Sequence, residues 1–223
     1  MLRGVDKSGS GIYNYVEFCR KGSKKMKIYC IGDSLTEGDY GVYKKRCIAN
    51  VKEKGYPYFL SLLTGAQTVN AGKCGYTSTS YLKFYKNGNA PSEDVDIIIM
   101  MLGTNGGLDP DTETQGNADY EELLALCKKD APSAEIVLCT PPHCTEDPEY
   151  SNCGYADRVR QAVTFVSRVA KKGGYRLIPL HECPSFTAQT EHIMQPNDGL
   201  HFSEEGYRAM AEFIADALGI KTK

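Results

Sequence analysis

The stretch Val95–Gly103 (VDIIIMMLG) constrains the fold more than any other part of the chain. From Ile97 onward it has no polar face, as expected for a strand buried on both sides rather than one with a wet side. It is far shorter than the ~18–20 apolar residues that a membrane span requires. Such a strand belongs in the middle of a sheet with helices on both faces, so the rest of the chain has to supply them. Four more apolar runs of strand length do so: Lys27–Asp33, Gln67–Gly72, Glu135–Thr140 and Tyr175–Leu180. Between and after them, Tyr58–Leu63, Tyr120–Lys129, Arg158–Lys172 and Ser203–Leu218 read as helices. Arg158–Lys172 carries Val159, Ala162, Val163, Val166, Val169 and Ala170 at 3-4 spacing and closes on Lys171, Lys172 and Gly173. Alternating strands and helices predict a parallel sheet in a single α/β domain.

Four short segments fall where such a fold would gather them. Gly32-Asp33-Ser34-Leu35-Thr36 follows the first strand, Asn70-Ala71-Gly72 closes the second, Gly103-Thr104-Asn105 follows the third, and Asp198-Gly199-Leu200-His201 precedes the last helix. Ligands of open α/β sheets bind beyond the carboxyl ends of the strands, so the first three segments meet at one edge. Each alone is ordinary: a serine after a strand caps a helix, and a glycine makes a turn. As an ordered set they resemble the SGNH hydrolases, the GDSL lipase/esterase family. The likeness runs over residues 26–218 and extends to Lys73-Cys74-Gly75-Tyr76-Thr77 and to Phe202-Ser203-Glu204-Glu205-Gly206-Tyr207.

The resemblance implies a flavodoxin-like three-layer α/β/α sandwich with a five-stranded parallel sheet of order 2-1-3-4-5, occupying residues 26–223. It also implies a serine esterase that works through an acyl-Ser34 intermediate without metal or cofactor. Serine is inert at its own pKa and needs a neighbouring base. His201 would be that base and then the acid for the leaving alcohol, with Asp198 fixing its tautomer. His143, His181 and His192 have no aspartate at a matching offset and read as surface or packing residues. The backbone N–H groups of Ser34 and Gly72 and the side-chain amide of Asn105 would form the oxyanion hole. Asp33 is a structural hydrogen-bonding residue in that family. Family members usually carry aspartate after the asparagine; here Gly106-Gly107 follows, which predicts a mobile lip over the site.

Composition narrows the remaining classes. A net charge of −2 gives no footprint for nucleic acid or an anionic membrane. Residues 1–25 hold six basic residues against Asp6 and Glu17, a net +4 that leaves −6 for the remainder, and read as a basic extension with little order. With no export signal visible, nine cysteines in uneven spacing are expected to be reduced thiols in the cytoplasm. Cys74 reads as a buried, inert thiol. Cys139, His143, Cys144 and Cys153 have metal-capable side chains but no paired spacing. Asp109, Asp111 and Glu113 in the loop Gly106–Asn117 read as a solvated acidic loop rather than a calcium site. That loop and the one from His143 to Tyr155 are polar, which favours a short acyl group, acetyl, on a polar or carbohydrate alcohol. The alternatives are a lipase or thioesterase for longer chains, a catalytically inactive carbohydrate-binding relative, and a flavin or nucleotide carrier on the same sheet order.

Overall fold

The computed structural model describes residues 25–43, 46–47 and 54–222; the basic extension lies outside them except for Lys25. Five parallel strands form the central sheet: β1 (Lys27–Gly32), β4 (Gln67–Gly72), β5 (Ile97–Met101), β6 (Glu135–Cys139) and β7 (Arg176–Ile178). They lie in the order β4-β1-β5-β6-β7, which is 2-1-3-4-5 in chain order. The register pairs Gly32 with Gly72 on one side of β1 and with Met101 on the other. The three strand ends expected to carry the site are therefore level with one another.

Alternation along the strands sorts side chains into two cores. Ile28, Cys30, Ile97, Ile99 and Val137 point to one face, against α2 (Tyr56–Thr64) and α7 (Glu204–Leu218). Tyr29, Ile31, Ile98, Met100 and Leu138 point to the other, against α3 (Ser78–Lys86), α4 (Gln115–Asp130) and α5 (Ala156–Gly173). All five residues of β5 are buried, as its composition requires. A four-residue helix, α1 (Ser34–Glu37), follows β1 directly, and another, α6 (Glu191–Met194), precedes the last loop.

Neither α3 nor a short hairpin is among the elements read from the sequence. Helix α3 buries Tyr81, Leu82 and Tyr85 among serine, threonine and lysine, and starts at a capping box in which Thr77 and Ser80 bond each other's backbone N–H. The Tyr81 hydroxyl donates to Ala71 O at 2.8 Å, tying this helix to the end of β4. A two-stranded antiparallel hairpin, β2 (Val42–Tyr43) and β3 (Arg46–Cys47), branches off after α1.

Candidate active site

Ser34 opens α1 at the point where β1 ends. The turn is tight: a Cβ on Gly32 would stand 2.7 Å from Thr36 Cβ and 2.8 Å from Met101 O. Asp33 caps the helix, its Oδ1 accepting from Leu35 N at 3.0 Å, so Ser34 is free of capping duty. As the first helical residue its N–H has no acceptor within the helix. Complete burial pushes the Asp33 carboxyl up to about 6.

Ser34 Oγ lies 2.8 Å from His201 Nε2, and His201 Nδ1 lies 2.8 Å from Asp198 Oδ2. Since a carboxylate only accepts, Nδ1–H donates to Asp198, and neutral Nε2 is left to accept from the serine hydroxyl. Asp198 is fully buried and its other oxygen accepts from Leu200 N and His201 N at 3.0 and 2.9 Å. Burial works to lower the His201 pKa, but the hydrogen bond and charge of Asp198 outweigh it, with Asp39 and Asp33 adding, and the net shift is upward. Burial likewise works to raise Asp198, and its bonds to His201 and Leu200 hold it below the usual carboxylate range.

The loop that carries Asp198 and His201 is clamped from behind. Gln195, buried after α6, donates from Nε2 to His143 O at 2.8 Å and to Leu200 O at 3.1 Å. Glu191, also buried, takes Thr145 Oγ1 at 2.8 Å and His143 Nε2 at 2.6 Å, while Thr145 N donates to Gly199 O at 2.9 Å. From the front, Asn197 Nδ2 donates to Tyr40 O at 2.7 Å, and Gly41 lies so close that a Cβ there would stand 2.7 Å from Asp198 Cγ. Sequence reasoning missed Gln195 and Glu191. Their partners lie 46 to 52 residues away for His143 and Thr145, and no local pattern announces such contacts.

The oxyanion candidates fare differently. Asn105 Nδ2 donates to Tyr76 O at 3.1 Å, which leaves one of its two amide hydrogens uncommitted. Gly72 is a correction: its N–H donates to Asn70 Oδ1 at 3.0 Å, and a Cβ there would stand 2.6 Å from the Thr36 carbonyl carbon. This glycine is needed for the close approach of β4 to α1, and its amide is already engaged. Gly75, three residues on, is exposed, adjoins the Tyr76 carbonyl that holds Asn105, and its N–H has no acceptor among the described residues. The second glycine of the segment was the available signal.

The lip after Asn105 is tied down. Thr114 Oγ1 donates to Gly107 O at 2.7 Å, and Asn117 Nδ2 donates to Asp109 O and Thr112 O at 2.7 and 2.8 Å. These bonds anchor the loop that was expected to be loose. Cys74 is a second correction: it is exposed, with Sγ 3.5 Å from Asp39 Oδ2. His181 bonds Thr140 Oγ1 through Nδ1 at 2.9 Å, and His192 is exposed. Among the described residues no three His, Cys, Asp or Glu side chains form a group able to hold a metal, and no helix is long and apolar enough to cross a membrane.

Comparison with known proteins bears on this geometry. The model of the GDSL-like lipase/acylhydrolase family matches residues 30–209. An acetylxylan esterase of Xylanibacter ruminicola is 26% identical over 221 residues, covering 86% of this chain and 43% of the esterase; the chain thus spans less than half of that relative. The lipase/acylhydrolase from Enterococcus faecalis is similar in structure, with a TM-score of 0.64 at 24% identity, over 89% of this chain and 97% of that one. A carbohydrate acetylesterase from Sinorhizobium meliloti gives 0.65 at 20% identity, over 87% and 99%. At these identities the two structures speak for the shared fold.

Proposed function

From the premise that the chain belongs to the GDSL-like lipase/acylhydrolase family, and is thus a carboxylic ester hydrolase, we propose that it removes short acyl groups, acetyl above all, from a polar or carbohydrate alcohol through Ser34. The observation that carries the mechanism is the unbroken relay from Ser34 Oγ to His201 to Asp198, with both links at 2.8 Å. His201 Nε2 takes the serine proton as Oγ attacks the ester carbonyl. The tetrahedral oxyanion is held by the N–H of Ser34, the free amide hydrogen of Asn105 and the N–H of Gly75, which replaces Gly72 in this role. Such donors act on charge that develops only in the transition state. His201 then hands its proton to the leaving alcohol, activates a water, and the acyl-serine is hydrolysed with the serine proton restored.

Two considerations support a short acyl group. Each buried methylene of a longer chain is worth about 0.8 kcal/mol, but only against an apolar wall. The large apolar side chains exposed among the described residues are Met26, Tyr58, Leu62 and Ile193, none of them in the loops 106–117 and 143–155 that flank the site. The relatives named acetylxylan esterase and carbohydrate acetylesterase point the same way.

A p-nitrophenyl ester series from acetyl to octanoyl tests this reading. The expected profile peaks at acetyl and falls steadily with chain length; a rate that climbs toward octanoyl makes the protein a lipase or thioesterase instead. The pH dependence is a separate check. The base must be neutral to act, and the Asp198 charge raises the His201 pKa above the ordinary value of about 6.5. Therefore kcat/KM is expected to rise with pH through a midpoint above 6.5. A midpoint at or below that value contradicts the assigned environment of the histidine.

A further inference from the structure

Five arginine side chains are described, and four of them pair with carboxylates. Arg160 meets Glu146 and Asp157, Arg168 meets Asp111, Arg176 meets Glu135 and Arg208 meets Glu212. Arg158 does not. Among the described residues its guanidinium has neither a carboxylate nor a hydrogen-bond acceptor, although it is half-buried. It instead lies over the Tyr155 ring, with Cζ 4.3 Å from the centroid, a cation–π contact that holds the side chain in place. The carboxylate next to it in sequence, Asp157, is already held by Arg160.

The position of Arg158 can be triangulated from both walls of the site. On one side its Cδ lies 3.6 Å from where a Cβ on Gly106 would stand, beside Asn105. On the other, its neighbour Val159 packs with Cys144 against Leu200, the residue before His201, and Tyr155 joins the same cluster. The first turn of α5 therefore bridges the oxyanion side and the base side. Because His201 protonates the leaving alcohol, the alcohol half of an ester lies on the base side, toward this turn. The carboxylates around the nucleophile (Asp33, Asp39 and Asp198) are buried and bonded within the protein. They offer a substrate anion no partner, and Arg158 does.

We propose that Arg158 binds a carboxylate on the alcohol half of the substrate, so that the natural esters are O-acetylated saccharides bearing a uronic acid. The inference rests on the esterase reading above and deepens it. A planar guanidinium presents two parallel N–H donors, which matches a carboxylate in a way that a lysine ammonium does not. The neutral hydroxyls of a simple sugar would leave its charge unanswered.

The test compares two acetylated methyl glycosides that differ only at C6, a glucuronide and a glucoside, and reads the ratio of their kcat/KM values. Wild type is expected to favour the glucuronide by roughly tenfold to a hundredfold, the range for a charge-assisted hydrogen-bonded pair. The preference should reside in KM and shrink at high salt. Arg158→Gln is expected to bring the ratio close to unity, Arg158→Lys to retain part of it, and Arg168→Gln, on the outer face of α5, to leave it unchanged. Equal rates on the two glycosides in wild type, or a preference that survives in Arg158→Gln, would overturn the proposal. In those cases Ser34-dependent hydrolysis of p-nitrophenyl acetate persists and the esterase reading stands. No Ser34-dependent turnover of any ester removes both.

Discussion

Ser34→Ala is expected to lower kcat on p-nitrophenyl acetate by on the order of 10⁵- to 10⁶-fold with its fold intact. The size follows from the way a nucleophile and its base act as one unit: removing either removes the covalent route and leaves the residual rate of binding and oxyanion stabilisation alone. Here the proposed unit rests on two 2.8 Å links. The substitution is structurally mild, because Asp33 rather than Ser34 caps α1 and the hydroxyl has no other partner to leave stranded. Melting temperature should therefore stay within a few degrees of wild type. His201→Ala should cost a similar factor, and the double variant little more than either single one. Residual activity above one per cent in Ser34→Ala, in protein free of wild-type contamination, would show that the ester bond is broken elsewhere.

Gly41→Ala is expected to cost about 10³- to 10⁴-fold in kcat, although residue 41 touches no substrate. A methyl group there would stand 2.7 Å from Asp198 Cγ and 2.9 Å from Oδ1, and closer still to Oδ2. Asp198 cannot retreat without giving up Leu200 N and His201 N, so the carboxylate must turn away from His201. Losing that aspartate in a serine triad costs on the order of 10⁴ through the wrong tautomer and orientation. Gly41 also has φ +81°, so strain alone could destabilise the variant. Gly88→Ala separates the two effects, since φ there is +89° but nothing lies within 4 Å of the added methyl. Gly88→Ala should lose only what the strained backbone costs and keep full turnover, whereas Gly41→Ala should lose more stability and, alone of the two, turnover. If Gly41→Ala keeps more than a tenth of wild-type kcat, the close approach to Asp198 does not control the relay.

Much of this arrangement could be read from the chain because the relevant signals are local. The isoleucine run of β5 can only be a doubly covered strand, and strand ends in a parallel sheet fall at one edge by geometry, which collects Ser34 and Asn105. Other features depend on partners far away in sequence. Helix α3 gives a weak signal because its apolar residues Tyr81, Leu82, Phe84 and Tyr85 fall within five positions and its cap uses Ser80 where glutamate or glutamine is the usual signal. The strands of the hairpin are two residues each, too short to display alternation. That the amide of Gly72 is already bonded does not show in a sequence; the Asn70 side chain decides it. The loop after Asn105 looked loose from Gly106-Gly107, and the bonds made by Thr114 and Asn117 are visible only once the loop has closed on itself.

The relay also has a consequence in time. Ser34 and His201 are 167 residues apart, one directly after the first strand and the other just before the last helix. Contacts of such sequence separation form late, because loop closure must be offset by the rest of the fold first. On the ribosome the proposed nucleophile emerges early and remains without its proposed base until nearly the whole domain has been made. Hydrolysis is thus the last property the chain acquires, and any nick or truncation that frees the 198–201 loop silences it. Turnover of a chromogenic ester therefore reports the completion of folding, a stricter readout than the gain of helix or the burial of the sheet.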